Sequence, residues 1–192
     1  LPDADAAAIA DLASRTAPTL TTVLRHASIR RFRPEPLPAD VLNAMRAALV
    51  RGPTASALHS YSHVLVRDPE LKSQLADLAG NQPFIRDAAL MIVSAVDMRR
   101  TAIAVREQGY DYTAHDPRMM VSAVADLSIG LQNASLVAQS LGFGTVMLGG
   151  VLDGSLEIAR ALSLPERVVP VLGLAAGRPE QADWPPPRAR LP

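Results

Sequence analysis

Residues 25–32 gather anion-binding side chains in one short stretch. The segment reads RHASIRRF, so it holds three arginines, a histidine and a serine in a chain whose formal net charge is zero. Alternate side chains of an extended segment share a face, which places His26, Ser28 and Arg30 on one side. Arg31 and the residues between these three would face the other way. Guanidinium and hydroxyl groups suit a phosphate or another anion, but a solvated basic strand edge has the same composition, so both interpretations stay open.

A second basic pair, Arg188 and Arg190, lies near the end of the sequence. The two arginines are two residues apart in a proline-stiffened segment, residues 177–192, which predicts an extended tail with both on one face. A disordered end is the alternative for this segment.

Two loops of small residues and one amide-bearing loop could hold a flat ligand against the backbone. Residues 53–56 (PTAS) follow a predicted helix, and residues 147–150 (MLGG) close a predicted strand. Paired glycines permit a close approach to the backbone or a positive φ. Gln82, in a third loop, offers one amide acceptor and two donors. Such loops also connect elements without binding anything.

The composition excludes several kinds of chemistry. The chain has no cysteine, which excludes disulfides, thiolate metal sites and a cysteine nucleophile and fits a reducing cytoplasm. Neither the G-x-G-x-x-G fingerprint nor the G-x-S-x-G elbow occurs. His59 and His63 lack a third ligand nearby, so no metal site is predicted. The remaining interpretation is a phosphorylated planar cofactor that supplies the chemistry.

Length and charge bound the class of protein. The 192 residues are 48% hydrophobic, and 19 basic side chains balance 19 acidic ones. This composition predicts a globular chain without a nucleic-acid or anionic-membrane partner. We expect one domain over residues 1–192, with a helical segment at 1–20. No signal-peptide pattern is found, and because the sequence begins with Leu1 we expect a trimmed N-terminus.

The element that must position these residues is a helix predicted from residue 121 to residue 140. Apolar residues recur at three- and four-residue steps around almost its whole circumference, which indicates a buried helix about 30 Å long. Gly142 stands where a left-handed residue ends a helix. A membrane span is the competing interpretation, but polar residues interrupt the run, among them Asp126 and Gln139.

Shorter elements surround this helix. Strands are predicted at residues 60–67, 88–96, 145–148 and 168–176, and the second of these is apolar throughout, as in a strand buried on both faces. Helices are predicted at residues 41–50, with Asp40 as N-cap, and at residues 70–78 and 155–162. Residues 101–120 are predicted to be a loop or loose helix.

Several motifs occur together in one order: residues 26–32, 53–56, 80–82, 132–133, 140–142, 147–150, 164–177 and 188–192. This ordered set resembles FMN-dependent nitroreductases, and most of all the oxygen-insensitive nitroreductase and NADPH:flavin oxidoreductase branch. The resemblance covers residues 20–192. It implies an α+β fold, with a central, mostly antiparallel sheet flanked by helices, in an interlocked homodimer with FMN at the subunit interface.

The resemblance also implies roles for individual residues. His26, Ser28, Arg188 and Arg190 would hold the FMN phosphate. Arg30 would lie beside the pyrimidine edge and support reduced FMN electrostatically, with no catalytic acid or base and no metal. Backbone N–H groups of residues 148–150 would face N5. The complete implied set is His26, Ala27, Ser28, Arg30, Thr54, Ser56, Gln82, Met147, Leu148, Gly149, Gly150, Arg188 and Arg190.

The implied reaction is ping-pong hydride transfer. NADPH or NADH would reduce FMN and leave, and a small planar acceptor such as a nitroaromatic, a quinone or a free flavin would take its place. Two alternatives stay open: a flavin-dependent dehydrogenase or oxidase of a biosynthetic intermediate on the same fold, and a non-enzymatic flavin-binding dimer.

Four departures from the family pattern bear on these implications. Ala27 stands where the family often has arginine, and His59 where it often has glutamine. Leu152 replaces an arginine that the branch uses for NADPH. The sequence also ends at Arg-Leu-Pro, where the branch continues into a long arm. Either the chain is cut short, or its pocket is more open and its dimer less interlocked.

Overall fold

The structure is a computed structural model that describes residues 18–112 and 117–181. The first 17 residues, Arg188 and Arg190 lie outside the described residues. The helices are α1 (Pro18–Leu24), α2 (Ala39–Leu49), α3 (Pro69–Leu78), α4 (Phe84–Asp87), α5 (Met98–Glu107), α6 (Pro117–Ser140), α7 (Gly150–Asp153) and α8 (Ser155–Ala161). The strands are β1 (Tyr61–Val66), β2 (Leu90–Asp97), β3 (Gly144–Leu148) and β4 (Val168–Gly177). The strands and helices predicted within the described residues are found, with boundaries shifted by at most four residues.

The strands form one antiparallel sheet in the order β1-β2-β4-β3. Every residue of β2 is buried, which confirms the strand predicted to have both faces covered. On one face Met91 and Val93 belong to a core shared with α3, α4 and α8. On the other face Leu90 and Ile92 pack into a core with α2 and α6. The sheet is therefore a middle layer between two sets of helices, as the α+β prediction expected.

Helix α6 crosses one face of this sheet and packs against α2. A Cβ on Gly130 would come within 3.3 Å of the backbone carbon of Leu49, so only glycine lets the two helices approach this closely. The helix ends at Ser140, and the φ of 81° at Gly142, two residues later, confirms the predicted left-handed position. By length and composition alone α6 could cross a membrane, but its inner face is part of the core of the described chain.

The prediction that α6 is buried all round is wrong for this chain. Its inner face, including Leu127, Leu131 and Ala134, is fully buried. Its outer face carries apolar side chains that the described residues leave uncovered, with Val121 67% exposed and Ile129 39% exposed. Apolar side chains do surround α6, but only those on its inner face pack into this chain's own core.

Two helix starts also differ from the prediction. Helix α5 covers residues 101–107 of the segment predicted to be a loop or loose helix, and Asp97 caps it by accepting a hydrogen bond from the Arg100 backbone N–H at 3.0 Å. Helix α2 begins after Pro38 rather than after Asp40. Asp40 lies in the first turn and accepts from the backbone N–H of Val41 at 2.9 Å, so it still satisfies a free N–H there.

Candidate functional site

The basic segment lies at the end of the sheet where β3 begins and β4 ends. Ser28 forms a bridge with Thr145, and the backbone N–H of Ile29 donates to the Thr145 carbonyl at 2.9 Å. Ile29 is buried, whereas Ser28 and Arg30 are exposed. This alternation confirms the predicted outward face for Ser28 and Arg30. Ala27, on the buried side, offers no side chain to a ligand.

The alternation fails at Arg31, which is exposed instead of facing inward. The reason is that Phe32 takes the next buried position and packs closely against Gly177, where a Cβ would come within 3.0 Å of its ring. Consequently Arg30 and Arg31 are both directed away from the core, and the segment concentrates positive charge outside it.

His26 is held by a polar cluster that the sequence did not reveal. Its Nδ1 lies 3.1 Å from Oε1 of Gln139. Nε2 of Gln139 donates to the hydroxyls of Ser135 and Thr145, at 2.8 Å each, and these hydroxyls lie 2.7 Å apart. Ser135 and Thr145 are buried. One sequence signal could have indicated this cluster. Ser135 and Gln139 are two polar residues four positions apart, so they share one face of the helix, and that face turns toward the buried Thr145.

The glycines after β3 serve two different purposes, and the predicted loop is wrong. Gly149 has right-handed helical angles, and Gly150 begins α7. A Cβ on Gly150 would collide with the Ala79 carbonyl group and come within 2.9 Å of Nε2 of Gln82. A Cβ on Gly149 would meet nothing within 4 Å. Gly150 therefore permits close packing, whereas Gly149 leaves an open stretch of backbone.

Gln82 and the end of β3 are brought together, as the cofactor prediction requires. The Gln82 amide donates to the Ala79 carbonyl at 2.6 Å and lies beside Gly150. Leu148 is fully buried and Met147 is partly buried. The side chains of both pack into the protein core, so the contribution of this stretch to a ligand is its backbone.

The loop with Thr54 and Ser56 is anchored to a different part of α6. The backbone N–H of Ala55 lies 3.0 and 3.1 Å from the two carboxylate oxygens of Asp126, a buried residue. Ser56, Ala57 and His59 all have positive φ, between 48° and 53°. Such angles are strained for residues with a side chain and are held by surrounding structure. Asp126 thus fixes a strained, exposed loop.

One chain separates the predicted site into two sets of residues. Asp126 and Gln139 are 13 positions apart on α6, so their anchored segments lie about 20 Å apart along the helix at about 1.5 Å per residue. His26 and Ser28 belong to one end, and Thr54 and Ser56 belong to the other. The structure does not bring these two sets together within the chain.

His63 on β1 and His59 just before it form no metal site, since no group of three metal-ligating side chains occurs among residues 18–112 and 117–181. Nδ1 of His63 lies 2.8 Å from the Ser94 hydroxyl. Its Nε2 is buried without a hydrogen-bond partner, and burial lowers the pKa of His63 to about 4. His63 is therefore a neutral interior residue at the edge of a groove of about 670 Å³ that His59 and Arg46 also line.

The sheet and the basic segment at its end together indicate a class of protein. An antiparallel sheet carries an exposed basic segment at one end and an open glycine backbone after its edge strand. That arrangement suits a protein that binds a phosphorylated cofactor and leaves the chemistry to it. Residues 23–178 match the Nitroreductase family, and the chain belongs to that family.

Individual relatives agree with this placement. The chain is 31% identical over 172 residues to an FMN reductase (NADPH) of Bacillus subtilis, covering 88% of this chain and 69% of that protein. The structure of NfrA2 from B. megaterium superposes with a TM-score of 0.87 at 31% identity, over 92% of this chain and 72% of that one. The NADPH:FMN oxidoreductase from Vibrio harveyi, complexed with NAD+, gives a TM-score of 0.84 at 31% identity, over 91% and 74%.

Proposed function

We infer that this protein is an FMN-dependent oxidoreductase that takes its electrons from NAD(P)H. The observation that carries the inference is the open backbone at Gly149, where a Cβ meets no atom within 4 Å, immediately after the edge strand β3, to which the basic segment is bridged at Thr145. Thr145 is three residues from Leu148, the end of that strand, or about 10 Å along it. An elongated phosphorylated cofactor fits this combination of an anion site and a bare backbone.

The described residues divide the work of holding the cofactor. His26 and Ser28 would bind the phosphate end, with Arg188 and Arg190 as further proposed ligands, and Arg30, Gln82 and the Gly149 backbone would face the ring. When bound, FMN supplies the acceptance and release of hydride. Arg30 is exposed on the basic segment and is the fixed cation available to the negative charge that reduction produces. In this mechanism no protein side chain is required to accept or donate a proton.

A homodimer would complete this site. Gln139 and Asp126, which anchor the two sets of site residues, lie about 20 Å apart along α6, too far for both sets to contact one cofactor ring from the same chain. The outer face of α6 presents Val121 and Ile129 to solvent, and exposed apolar faces of this kind mark protein contacts. A partner packed against this face in a twofold arrangement would bring its Thr54 and Ser56 to the His26 end of this chain.

We also propose a single domain over residues 1–192, in a cytoplasmic protein, with a small planar electron acceptor such as a nitroaromatic, a quinone or a free flavin. Support for the acceptor class comes from the exposed, small-residue loop at Ser56 and Ala57, which leaves space for flat molecules of different shapes.

The test is an anaerobic titration of the purified holoprotein with NADPH and, separately, with NADH. The visible flavin absorbance should bleach with at least one nucleotide and return when a quinone is added. Flavin that stays oxidised with both nucleotides would contradict the assignment and favour a dehydrogenase or oxidase with a different electron donor. Bleaching without return for any acceptor would favour a non-enzymatic flavin-binding role.

A further inference from the structure

The polar cluster around Gln139 determines which nitrogen of His26 can meet a ligand. The two hydroxyls of Ser135 and Thr145 lie 2.7 Å apart, and each lies 2.8 Å from the same end of the Gln139 amide. Two hydroxyls supply two protons. If the amide oxygen occupied that position, three oxygens in mutual contact would share two protons, and one pair would repel. The amide nitrogen therefore occupies it and donates to both hydroxyls.

The orientation of Gln139 fixes the tautomer of His26. With its nitrogen committed to the hydroxyls, Gln139 turns Oε1 toward Nδ1 of His26 at 3.1 Å. A carbonyl oxygen only accepts, so Nδ1 must carry the hydrogen. In the neutral ring Nε2 then has a lone pair, which repels an anion. Nε2 can donate to a phosphate only when the ring is an imidazolium.

We propose that Gln139 is a positioning residue that makes recognition of the cofactor's phosphate by His26 dependent on proton uptake. Gln139 does not touch the cofactor; it acts by keeping Nδ1 protonated, so that binding of the anionic group and protonation of Nε2 occur together. The inference deepens the proposed function and rests on it, because it assumes that the anion bound beside residues 26–30 is the FMN phosphate.

The described groups hydrogen-bonded to His26 and to its partner Gln139 include no carboxylate. The hydrogen-bonded groups from α6 and β3 are neutral: Gln139, Ser135 and Thr145. The charged side chains of its own segment, Arg25, Arg30 and Arg31, are cationic.

The experiment compares binding of FMN and of riboflavin, which differ only in the phosphate, to flavin-free full-length protein by fluorescence titration. The readout is the ratio of the two dissociation constants at pH 6.5 and pH 8.5. Above pH 6.5 the phosphate is mainly a dianion, so the histidine dominates the change. One charge-assisted hydrogen bond contributes about tenfold or more to affinity, so the preference for FMN should fall about tenfold over this range.

Variants separate the role of Gln139 from general stability. Gln139→Leu removes the acceptor that keeps the hydrogen on Nδ1, so the neutral ring can carry its hydrogen on Nε2 and donate to the phosphate. The preference for FMN should then persist at pH 8.5 and lose its pH dependence, with riboflavin affinity unchanged. The matched control is Gln108→Leu, an exposed glutamine at the end of α5, which should behave as wild type.

The comparison of FMN with riboflavin tests the phosphate site of the wild-type protein separately from the role of Gln139. If the wild-type protein binds FMN and riboflavin equally at pH 6.5, or neither, the phosphate assignment itself is wrong. If wild type prefers FMN but the preference is independent of pH, or if Gln139→Leu keeps the wild-type ratio and pH dependence, the positioning role is overturned while the proposed function stands. Equal losses for FMN and riboflavin in Gln139→Leu would indicate a purely structural role and would also overturn it.

Discussion

Acidification should destabilise this protein through one buried histidine. His63 is on β1 and faces Gly130 of α6, with Nδ1 against the Ser94 hydroxyl and Nε2 buried without a partner. Burial lowers the pKa of His63 from its ordinary 6.5 to about 4. The unfolded chain therefore binds a proton at His63 over a pH range in which the folded chain does not, which makes stability depend on pH.

The sign and size of the effect follow from these two values. Because the folded-state pKa is depressed, the stabilisation is complete above pH 6.5 and is lost as pH falls from 6.5 toward 4. Linkage with an unfolded pKa of 6.5 and a folded pKa of about 4 gives a loss of about 2 kcal/mol between pH 7.5 and pH 5. That is a substantial part of the stability of a typical domain.

The assay is urea unfolding at pH 7.5 and pH 5 for wild type and for His63→Asn, at one protein and flavin concentration because bound partners also stabilise. Asparagine keeps an amide near the position of Nδ1 and does not titrate. Other groups contribute equally to both proteins, so the fall in unfolding free energy should be about 2 kcal/mol larger for wild type than for the variant. Equal falls would refute the reasoning and show that His63 is not held neutral by burial.

Four further substitutions test the packing of the candidate site and of the core. Gly150→Ala should destabilise the fold by about 1–3 kcal/mol in thermal or urea unfolding. Gly149→Ala places its Cβ where no atom lies within 4 Å, so it should leave the stability of the flavin-free protein unchanged but alter flavin affinity. Equal losses of stability in the two variants would contradict this difference. Asp126→Asn weakens the carboxylate contact to the loop at Ala55 and should increase proteolytic nicking there, so an unchanged digestion pattern would argue against the anchor. Lys72→Met leaves two carbonyls without their buried donor and should cost about 2–4 kcal/mol in urea unfolding, and a loss below about 1 kcal/mol would show that Lys72 is not needed there.

The sequence predicted the sheet well because its signals were local. The continuous apolar run at residues 88–96 could only be a strand covered on both sides, and β2 is buried at every position. The left-handed end of α6 at Gly142 was predictable for the same reason, since its backbone conformation is a property of that residue.

The site was only partly predictable, because its residues are joined through the fold. Ser28 and Arg30 were found from alternation within one segment. Gln139 and Asp126 were noted only as polar interruptions of an apolar helix, because their partners lie 113 and 71 residues away in the chain. Apolar periodicity likewise identified α6 but could not show which half of its surface this chain covers.

Identification of the bound cofactor tests most directly whether this chain binds FMN. The visible absorption spectrum of the purified protein should show a flavin, and heat release followed by chromatography should yield FMN in stoichiometric amount, with little riboflavin or FAD. A colourless protein that fails to take up added FMN, or one that releases a different cofactor, would contradict the claim and return residues 26–30 to the interpretation of a solvated basic strand edge.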